Sequence, residues 1–140
     1  MILIIDTSIV FAALAKDSTT RNLLIDSPFT LLAPETMIKE IRKYESLILK
    51  KSSLSKEEFE TLFELLIENI HIVEKEEYLQ EIDEADNLIG HLDKGDVQFI
   101  ALALSIPNNG VWTENIKHFG KQNKIKIWAT KDIIDFLNFR

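Results

Sequence analysis

The chain opens with four large apolar residues, Ile2–Ile5, which are followed at once by the polar residues Asp6, Thr7 and Ser8. A short apolar run rich in β-branched residues predicts a strand that is buried on both faces, as in the middle of a parallel sheet. Parallel strands need crossover connections, which are usually helices. The opening residues therefore favour an alternating arrangement of strands and helices.

The rest of the chain supplies that alternation. Further strands are predicted at residues 30–33, 71–73, 110–113 and 125–128. Helices are predicted at 9–15, 20–25, 34–48, 56–70, 78–89, 93–105 and 130–138, and a polar, mobile loop at 115–124. No repeat, low-complexity tract or linker interrupts the pattern. The expected fold is a single α/β domain over residues 1–140, with a mostly parallel central sheet flanked by helices.

The composition excludes several kinds of site. The chain has no cysteine, which rules out disulfides, thiolate-bound zinc and a thiol nucleophile. Its three histidines (His71, His91 and His118) are scattered and are interpreted as surface or loop residues. The tryptophans Trp112 and Trp128 end predicted strands and are interpreted as core residues.

The net charge of −7 argues against a general nucleic-acid-coating role, because phosphate backbones attract basic surfaces. It does not exclude a nuclease, since a bound divalent cation neutralises part of an acidic cleft. The basic pairs Arg42-Lys43 and Lys50-Lys51 are candidates for holding phosphates, although a solvated helix face is the favoured explanation of each pair taken singly. The first apolar run is short and lacks a basic leader, so no signal peptide or membrane span is predicted, and a cytoplasmic location is expected.

Four acidic residues recur at the ends of strands or the beginnings of helices: Asp6, Glu40, Asp96 and Glu114. Ligands of open α/β sheets bind beyond the carboxyl ends of the strands, where Asp6 and Glu114 would meet if their strands are neighbours. Gathered carboxylates repel one another, and a hard cation such as Mg²⁺ with its oxygen ligands relieves that repulsion. The pattern predicts a divalent metal site.

Each of these acids also has an ordinary structural explanation. Asp6 suits the cap of the helix that follows it. Glu40 suits an exposed helix position, Asp96 complements a helix dipole, and Glu114 is an unremarkable loop acid. Only the four placements taken together favour a metal site over these separate roles.

Five segments carry a resemblance to a known family. They are Ile-Ile-Asp-Thr-Ser at 4–8, Ala-Pro-Glu-Thr with Ile-Lys-Glu-Ile at 33–41, Leu-Asp-Lys-Gly-Asp-Val-Gln-Phe-Ile-Ala-Leu-Ala-Leu at 92–104, Val-Trp-Thr-Glu-Asn-Ile-Lys-His-Phe at 111–119, and Ile-Lys-Ile-Trp-Ala-Thr-Lys-Asp at 125–132. In this order and spacing they resemble the motifs of the PIN-domain ribonucleases, over essentially their full length. The resemblance implies a PIN-like fold.

The resemblance also implies an endoribonuclease that depends on Mg²⁺ or Mn²⁺ and hydrolyses RNA phosphodiester bonds. It assigns Asp6, Asp96 and Glu114 as metal ligands, and Glu40 as a further catalytic acid. Asp93 corresponds to an accessory acid of the third motif. A metal at such a site lowers the pKa of a bound water, which then attacks phosphorus.

The fourth motif departs from the pattern of many relatives. Glu114 is the candidate fourth acid, but Asn115 occupies a position that carries aspartate in some of them. Thr113 is expected to orient a metal-bound water through its hydroxyl, and Ser8 to have a similar supporting role. The fourth position of the site is therefore open between Glu114 and Asn115.

Small single-domain members of this family resemble VapC-type toxins of type II toxin–antitoxin pairs. That likeness implies an RNA substrate, an antitoxin partner and a homodimer. The alternative is a non-catalytic PIN-like module that binds protein or RNA, which the altered fourth motif and the acidic surface favour. A phosphatase of the haloacid-dehalogenase type is disfavoured, because it needs a second aspartate where this chain has Ser8.

Overall fold

A computed structural model describes residues 1–15, 18–90 and 94–138 of the protein. Its centre is a five-stranded sheet in the order β3-β2-β1-β4-β5, in which every neighbouring pair is parallel. The strands are β1 Ile2–Ile5, β2 Thr30–Pro34, β3 Ile70–Val73, β4 Val111–Trp112 and β5 Ile127–Trp128. The predicted α/β class is confirmed, and the sheet is entirely rather than mostly parallel.

Helices connect the strands and cover the sheet. They are α1 Thr7–Ala15, α2 Ser18–Ile25, α3 Thr36–Lys43, α4 Glu45–Lys51, α5 Lys56–Glu68, α6 Ile82–Ala85, α7 Val97–Ser105, α8 Ile116–Phe119 and α9 Thr130–Asn138. Helix α7 is apolar almost all round and packs against β1, β2 and β4. None of the helices within the described ranges is long and apolar enough to cross a membrane.

The opening run behaves as predicted. Leu3, Ile4 and Ile5 are fully buried, and β1 lies between β2 and β4 in the middle of the sheet. Both tryptophans are buried, at the ends of β4 and β5, as expected of core residues. The core residues of β1 therefore fix the place where Asp6 leaves the sheet.

Two predicted helices have different bounds in the structure. Pro34 is the last residue of β2 rather than part of the first turn of α3, and the predicted helix 34–48 is divided at Tyr44 into α3 and α4. Helix α5 begins at Lys56, as predicted, after a capping box in which Ser55 and Glu58 bond reciprocally. It ends at Glu68, and Ile70 belongs to β3.

The predicted helix 78–89 is wrong as a single element. The chain there forms 3₁₀ turns at Lys75–Glu77 and Leu79–Glu81, the short α6, and one π-helical turn at Asp86–Gly90. Leu79, which the helical spacing placed on the buried side, is 53% exposed. Gly90 ends the π-helical turn and does not cap an α-helix.

The predicted loop 115–124 contains helix α8 and two buried side chains. Phe119 is fully buried, and Gln122 is 8% exposed. The Gln122 amide donates to the Phe119 and Ile125 carbonyls and accepts from the Lys124 and Ile125 backbone N–H groups, all at 2.8–2.9 Å. This segment is therefore held by internal hydrogen bonds and differs from the mobile loop that its polarity predicted.

Candidate active site

Two strand ends bring the first and fourth motifs together. Strands β1 and β4 are parallel neighbours with Ile5 paired to Trp112, so the residues that follow them emerge side by side. The Asp6 backbone N–H donates to the Trp112 carbonyl at 3.0 Å. Strands β1 and β4 are therefore neighbours, which is the condition for Asp6 and Glu114 to meet at this edge of the sheet.

Asp6 is buried within a set of hydroxyl donors. It is 2% exposed, and its Oδ2 accepts from Ser8 Oγ at 2.6 Å and from Thr113 Oγ1 at 2.8 Å. Burial raises the pKa of the Asp6 carboxyl, and the hydrogen bonds from Ser8 and Thr113 oppose that rise. A carboxylate at this position is costly to ionise unless a cation arrives beside it.

The fourth motif is fastened to the same hydroxyls. The Glu114 backbone N–H donates to Ser8 Oγ at 3.0 Å, and the Asn115 N–H donates to Thr113 Oγ1 at 2.9 Å. Thr113 is fully buried, so its hydroxyl acts on Asp6 and on the backbone rather than facing the open cavity. Ser8 and Thr113 thus couple the position of Asp6 to that of the fourth motif.

Two threonines contact the other acids near this edge. Thr7 Oγ1 donates to Glu40 Oε1 at 2.7 Å, which connects helix α3 to the start of α1. Thr130 Oγ1, at the start of α9, donates to the exposed Glu114 Oε1 at 3.3 Å. Both glutamates are therefore oriented by side chains from other parts of the chain.

Asp96 ends a 3₁₀ turn, Lys94–Asp96, and immediately precedes helix α7. It is 6% exposed and makes no side-chain hydrogen bond of the capping kind to that helix. His118 Nδ1 lies 3.5 Å from Asp96 Oδ2. Capping thus does not account for Asp96, and the structure pairs it with a histidine.

His118 is exposed, as the surface or loop interpretation predicts, but sequence reasoning gave it no contact with Asp96. The available signal was the spacing of Ile116 and Phe119, two apolar residues three apart in a polar segment, which is compatible with one helical turn. Phe119 is buried, and α8 places His118 beside the third motif.

One cavity of about 440 Å³ joins these residues. Its lining includes all four predicted acids and two of the predicted accessory residues, together with apolar and threonine side chains: Asp6, Thr7, Ser8, Phe11, Ala12, Glu40, Tyr44, Leu47, Asp96, Glu114 and Asn115. Among these described residues there is no lysine or arginine. Asp93, the predicted accessory acid, lies outside the described residues.

The described residues that line the cavity supply suitable donor atoms for a divalent cation, but their side chains are not positioned to coordinate one. Its four carboxylates are the oxygen donors that Mg²⁺ and Mn²⁺ take in proteins. Within the described part of the chain, no three acidic or histidine side chains lie close enough together to hold an ion as they stand. The donor set fits a metal, and the carboxylates that line the cavity are not gathered into a coordination shell.

The comparisons with known proteins agree with the fold. A family model of the PIN domain matches residues 4–135, a range that includes all four cavity acids. No curated protein matches the chain significantly. PIN domains are typically nucleases and generally use divalent metal ions. The match covers most of the sequence, and the protein therefore belongs to the PIN-domain family.

Proposed function

We propose that this PIN-domain protein is an endoribonuclease that depends on Mg²⁺ or Mn²⁺ and hydrolyses RNA phosphodiester bonds at the acidic cavity. One observation carries the proposal: Asp6, Glu40, Asp96 and Glu114 line a single cavity that has no lysine or arginine among its described lining residues. Four carboxylates without cationic side chains favour a bound cation.

In this proposal Asp6, Asp96 and Glu114 would hold the metal, with Glu40 as a further acid of the site. The metal, when bound, would neutralise charge on the phosphate and activate water. Asn115 lines the cavity beside Glu114, so it is the alternative to Glu114 for the fourth position.

The chain's own hydroxyls would prepare the site. Ser8 and Thr113 donate to Oδ2 of Asp6 and fix the orientation of its carboxyl group. Thr7 orients Glu40, and Thr130 orients Glu114. Such supporting contacts determine ligand orientation and basicity in metal sites.

The finer biological proposal is that the protein is a VapC-like toxin of a type II pair, acting in the cytoplasm as a homodimer and inhibited by an antitoxin. The resemblance of its motifs to such toxins supports this. Induced expression of wild type, but not of Asp96→Asn, should arrest growth, and co-expression of a short neighbouring gene product should restore it. Unimpaired growth with abundant, RNA-cleaving wild type would argue against a toxin.

A non-catalytic binding module is the second candidate. The observation that favours it is the lack of three close metal-binding side chains in the described ranges. A protein that binds Mn²⁺ in its native state is stabilised by that ion, whereas a module without a metal site is not. An unchanged melting temperature up to millimolar Mn²⁺ would therefore support the module.

The nuclease proposal is tested by incubating a mixed-sequence single-stranded RNA with purified protein, in Mn²⁺ and in EDTA. Asp6→Asn and Asp96→Asn are the test variants, and Lys75→Gln, an exposed substitution away from the cavity, is the matched control. We expect metal-dependent cleavage by wild type and control only. Equal cleavage by folded Asp96→Asn would refute the assigned site.

A further inference from the structure

Residues 117–131 differ in charge from the rest of the chain. They contain five lysines and no aspartate or glutamate, although the whole chain has a net charge of −7. We call these lysines the basic strip: Lys117, Lys121, Lys124, Lys126 and Lys131. All five are exposed. A local excess of positive charge on an acidic protein is the pattern expected of a surface that contacts phosphates.

The basic strip begins at the acidic cavity. Asn115 lines the cavity, and helix α8, which carries Lys117, starts at the next residue. Lys131 follows Thr130, whose hydroxyl contacts Glu114. Two of the five lysines are thus within two residues of a residue that lines or contacts the site.

The strip continues from the cavity, at the carboxyl ends of the strands, toward the amino ends of the strands. Lys124 and Lys126 lie just before β5, the edge strand, whereas Asp6 and Glu114 lie beyond the carboxyl ends of their strands. Because all strands are parallel, these two lysines are at the amino edge of the sheet. The basic strip therefore runs past the β5 side of the domain.

The backbone under the strip is well ordered by internal contacts. The buried Gln122 amide makes four hydrogen bonds to backbone groups of Phe119, Lys124 and Ile125. The Lys126 carbonyl accepts from the Val111 N–H of β4 at 2.9 Å. A fixed backbone presents its lysines at little cost in conformational entropy when a ligand binds.

Most lysines of the strip are available to a ligand. Within the described part of the chain, Lys117, Lys121 and Lys131 make no ion pair, Lys124 pairs with Glu84, and Lys126 lies 4.1 Å above the Trp128 ring. On helices α3 and α4, Arg42 is bound to both Glu45 and Glu60, whereas Lys43 and Lys51 lie over the Tyr44 and Phe11 rings that line the cavity. The strip differs from these helices in having no acidic residue among its lysines.

We propose that the basic strip is the phosphate-binding surface for single-stranded RNA, which it guides into the acidic cavity. This rests on the proposed ribonuclease function. The cavity acids repel a polyanion, so an acidic protein needs local cations beside the site to bind RNA. Several lysines along one side of the domain can contact phosphates without selecting a base sequence.

The test measures RNA binding without metal. A fluorescein-labelled, mixed-sequence single-stranded RNA is titrated with protein in EDTA, and fluorescence anisotropy is recorded between about 50 and 200 mM salt. The test variant is Lys117→Gln with Lys121→Gln and Lys131→Gln. The matched control is Lys39→Gln with Lys56→Gln and Lys75→Gln, which makes the same charge change at three exposed lysines that do not line the cavity.

We expect the strip variant to bind more than about tenfold more weakly at low salt, and the salt slope to decrease by about 2, since single strands contribute about 0.7 per phosphate contact. The control should retain wild-type affinity and slope. Equal weakening in both variants would show that overall charge alone matters, and unchanged affinity of the strip variant would also overturn the proposal.

A second measurement tests whether the strip contacts a second copy of this acidic protein rather than RNA. Light scattering after size exclusion should give the same mass for wild type and the strip variant. A loss of self-association with unchanged RNA affinity would overturn the proposal in favour of a contact with a second copy. The single variant Lys121→Glu, which changes one exposed residue, should weaken RNA binding and guards against misfolding of the triple variant.

Cleavage data distinguish failure of this inference from failure of the proposed function. Metal-dependent cleavage by wild type, with unchanged RNA affinity in the strip variant, would reject the strip alone. Strip-dependent binding without cleavage in any metal would reject the nuclease alone. The two results are independent because binding is measured in EDTA.

Discussion

Replacing Thr113 by valine tests how the hydroxyls support Asp6. The Thr113 hydroxyl donates to the buried Asp6 Oδ2 at 2.8 Å and accepts from the Asn115 N–H. Valine keeps the branched shape but removes the donor. Because Asn115 is exposed, water can replace its partner at little cost, and the main loss is the bond to Asp6.

The size of that loss depends on pH. A hydrogen bond to an ionised group contributes about 2 kcal/mol, and one between neutral groups about 1 kcal/mol. With an unfolding entropy near 2.1 cal/mol/K per residue, 140 residues give about 0.3 kcal/mol/K, so the melting temperature should fall by about 7 °C once Asp6 is ionised, and pH 8 is chosen to favour that form. At pH 4, where the raised pKa of Asp6 favours the protonated carboxyl, the fall should be about 3 °C.

Thermal melting of metal-free protein at both pH values measures this difference. Thr30→Val is the control, because Thr30 is exposed at the start of β2. The variant also removes a bond that lowers the pKa of Asp6, so the rate of metal-dependent cleavage should shift to higher pH. If Thr113→Val melted at the same temperature as wild type at both pH 4 and pH 8, the role given to Thr113 would be refuted.

Three further perturbations follow from the same contacts. Burial raises the pKa of Asp6, so the native state binds more protons than the unfolded state, and the free energy of unfolding of metal-free protein should fall as pH rises above about 4. Asp6→Asn should lack this contribution of Asp6 to the pH dependence, and it should melt at a higher temperature than wild type at pH 7. A steeper decline in Asp6→Asn than in wild type would contradict this. Thr7→Val removes the 2.7 Å bond to Glu40 and should lower kcat about tenfold, corresponding to about 1.4 kcal/mol, in steady-state cleavage rates. An unchanged kcat would show that this bond does not position Glu40 for the reaction. Gln122→Ala deletes four hydrogen bonds to backbone groups and should lower the free energy of unfolding, measured by urea denaturation, by about 2 kcal/mol. It should also weaken RNA binding. Wild-type stability in this variant would mean that the segment is not held by the Gln122 amide.

The position of the acids was largely predictable because it depends on strong, local signals. The apolar run Ile2–Ile5 could only be a buried strand, and Asp6 had to emerge at its carboxyl end. The meeting with Glu114 needed the order of the strands, which a single sequence does not determine. The structure supplied that order by pairing β1 with β4.

The rest depended on tertiary contacts that leave no periodic pattern. The helical spacing at 78–89 counted Leu79 as buried, yet it is exposed, and the backbone there takes 3₁₀ and π turns. The segment 115–124 looked mobile because it is polar, but a single buried amide, Gln122, holds it. The contact of His118 with Asp96 follows from the same segment and was missed for the same reason.

The apolar wall of the cavity was also not predictable. Tyr44 and Leu47 line it while remaining 43% and 42% exposed. The helical pattern through 34–48 gave no sign of the break at Tyr44, where α3 ends and α4 begins one residue later. Such a break arises from packing rather than from local propensity.

Direct titration of Mn²⁺ into metal-free protein tests the central claim that the four carboxylates form one metal centre. Isothermal titration calorimetry should be carried out on wild type, Asp6→Asn, Asp96→Asn and the surface control Lys75→Gln, without RNA. We predict saturable binding by wild type and control, and binding at least about tenfold weaker in each aspartate variant, since removal of a ligand charge costs more than about 1.4 kcal/mol. No saturable binding by folded wild type, or binding as tight as that of wild type in both aspartate variants, would contradict the account.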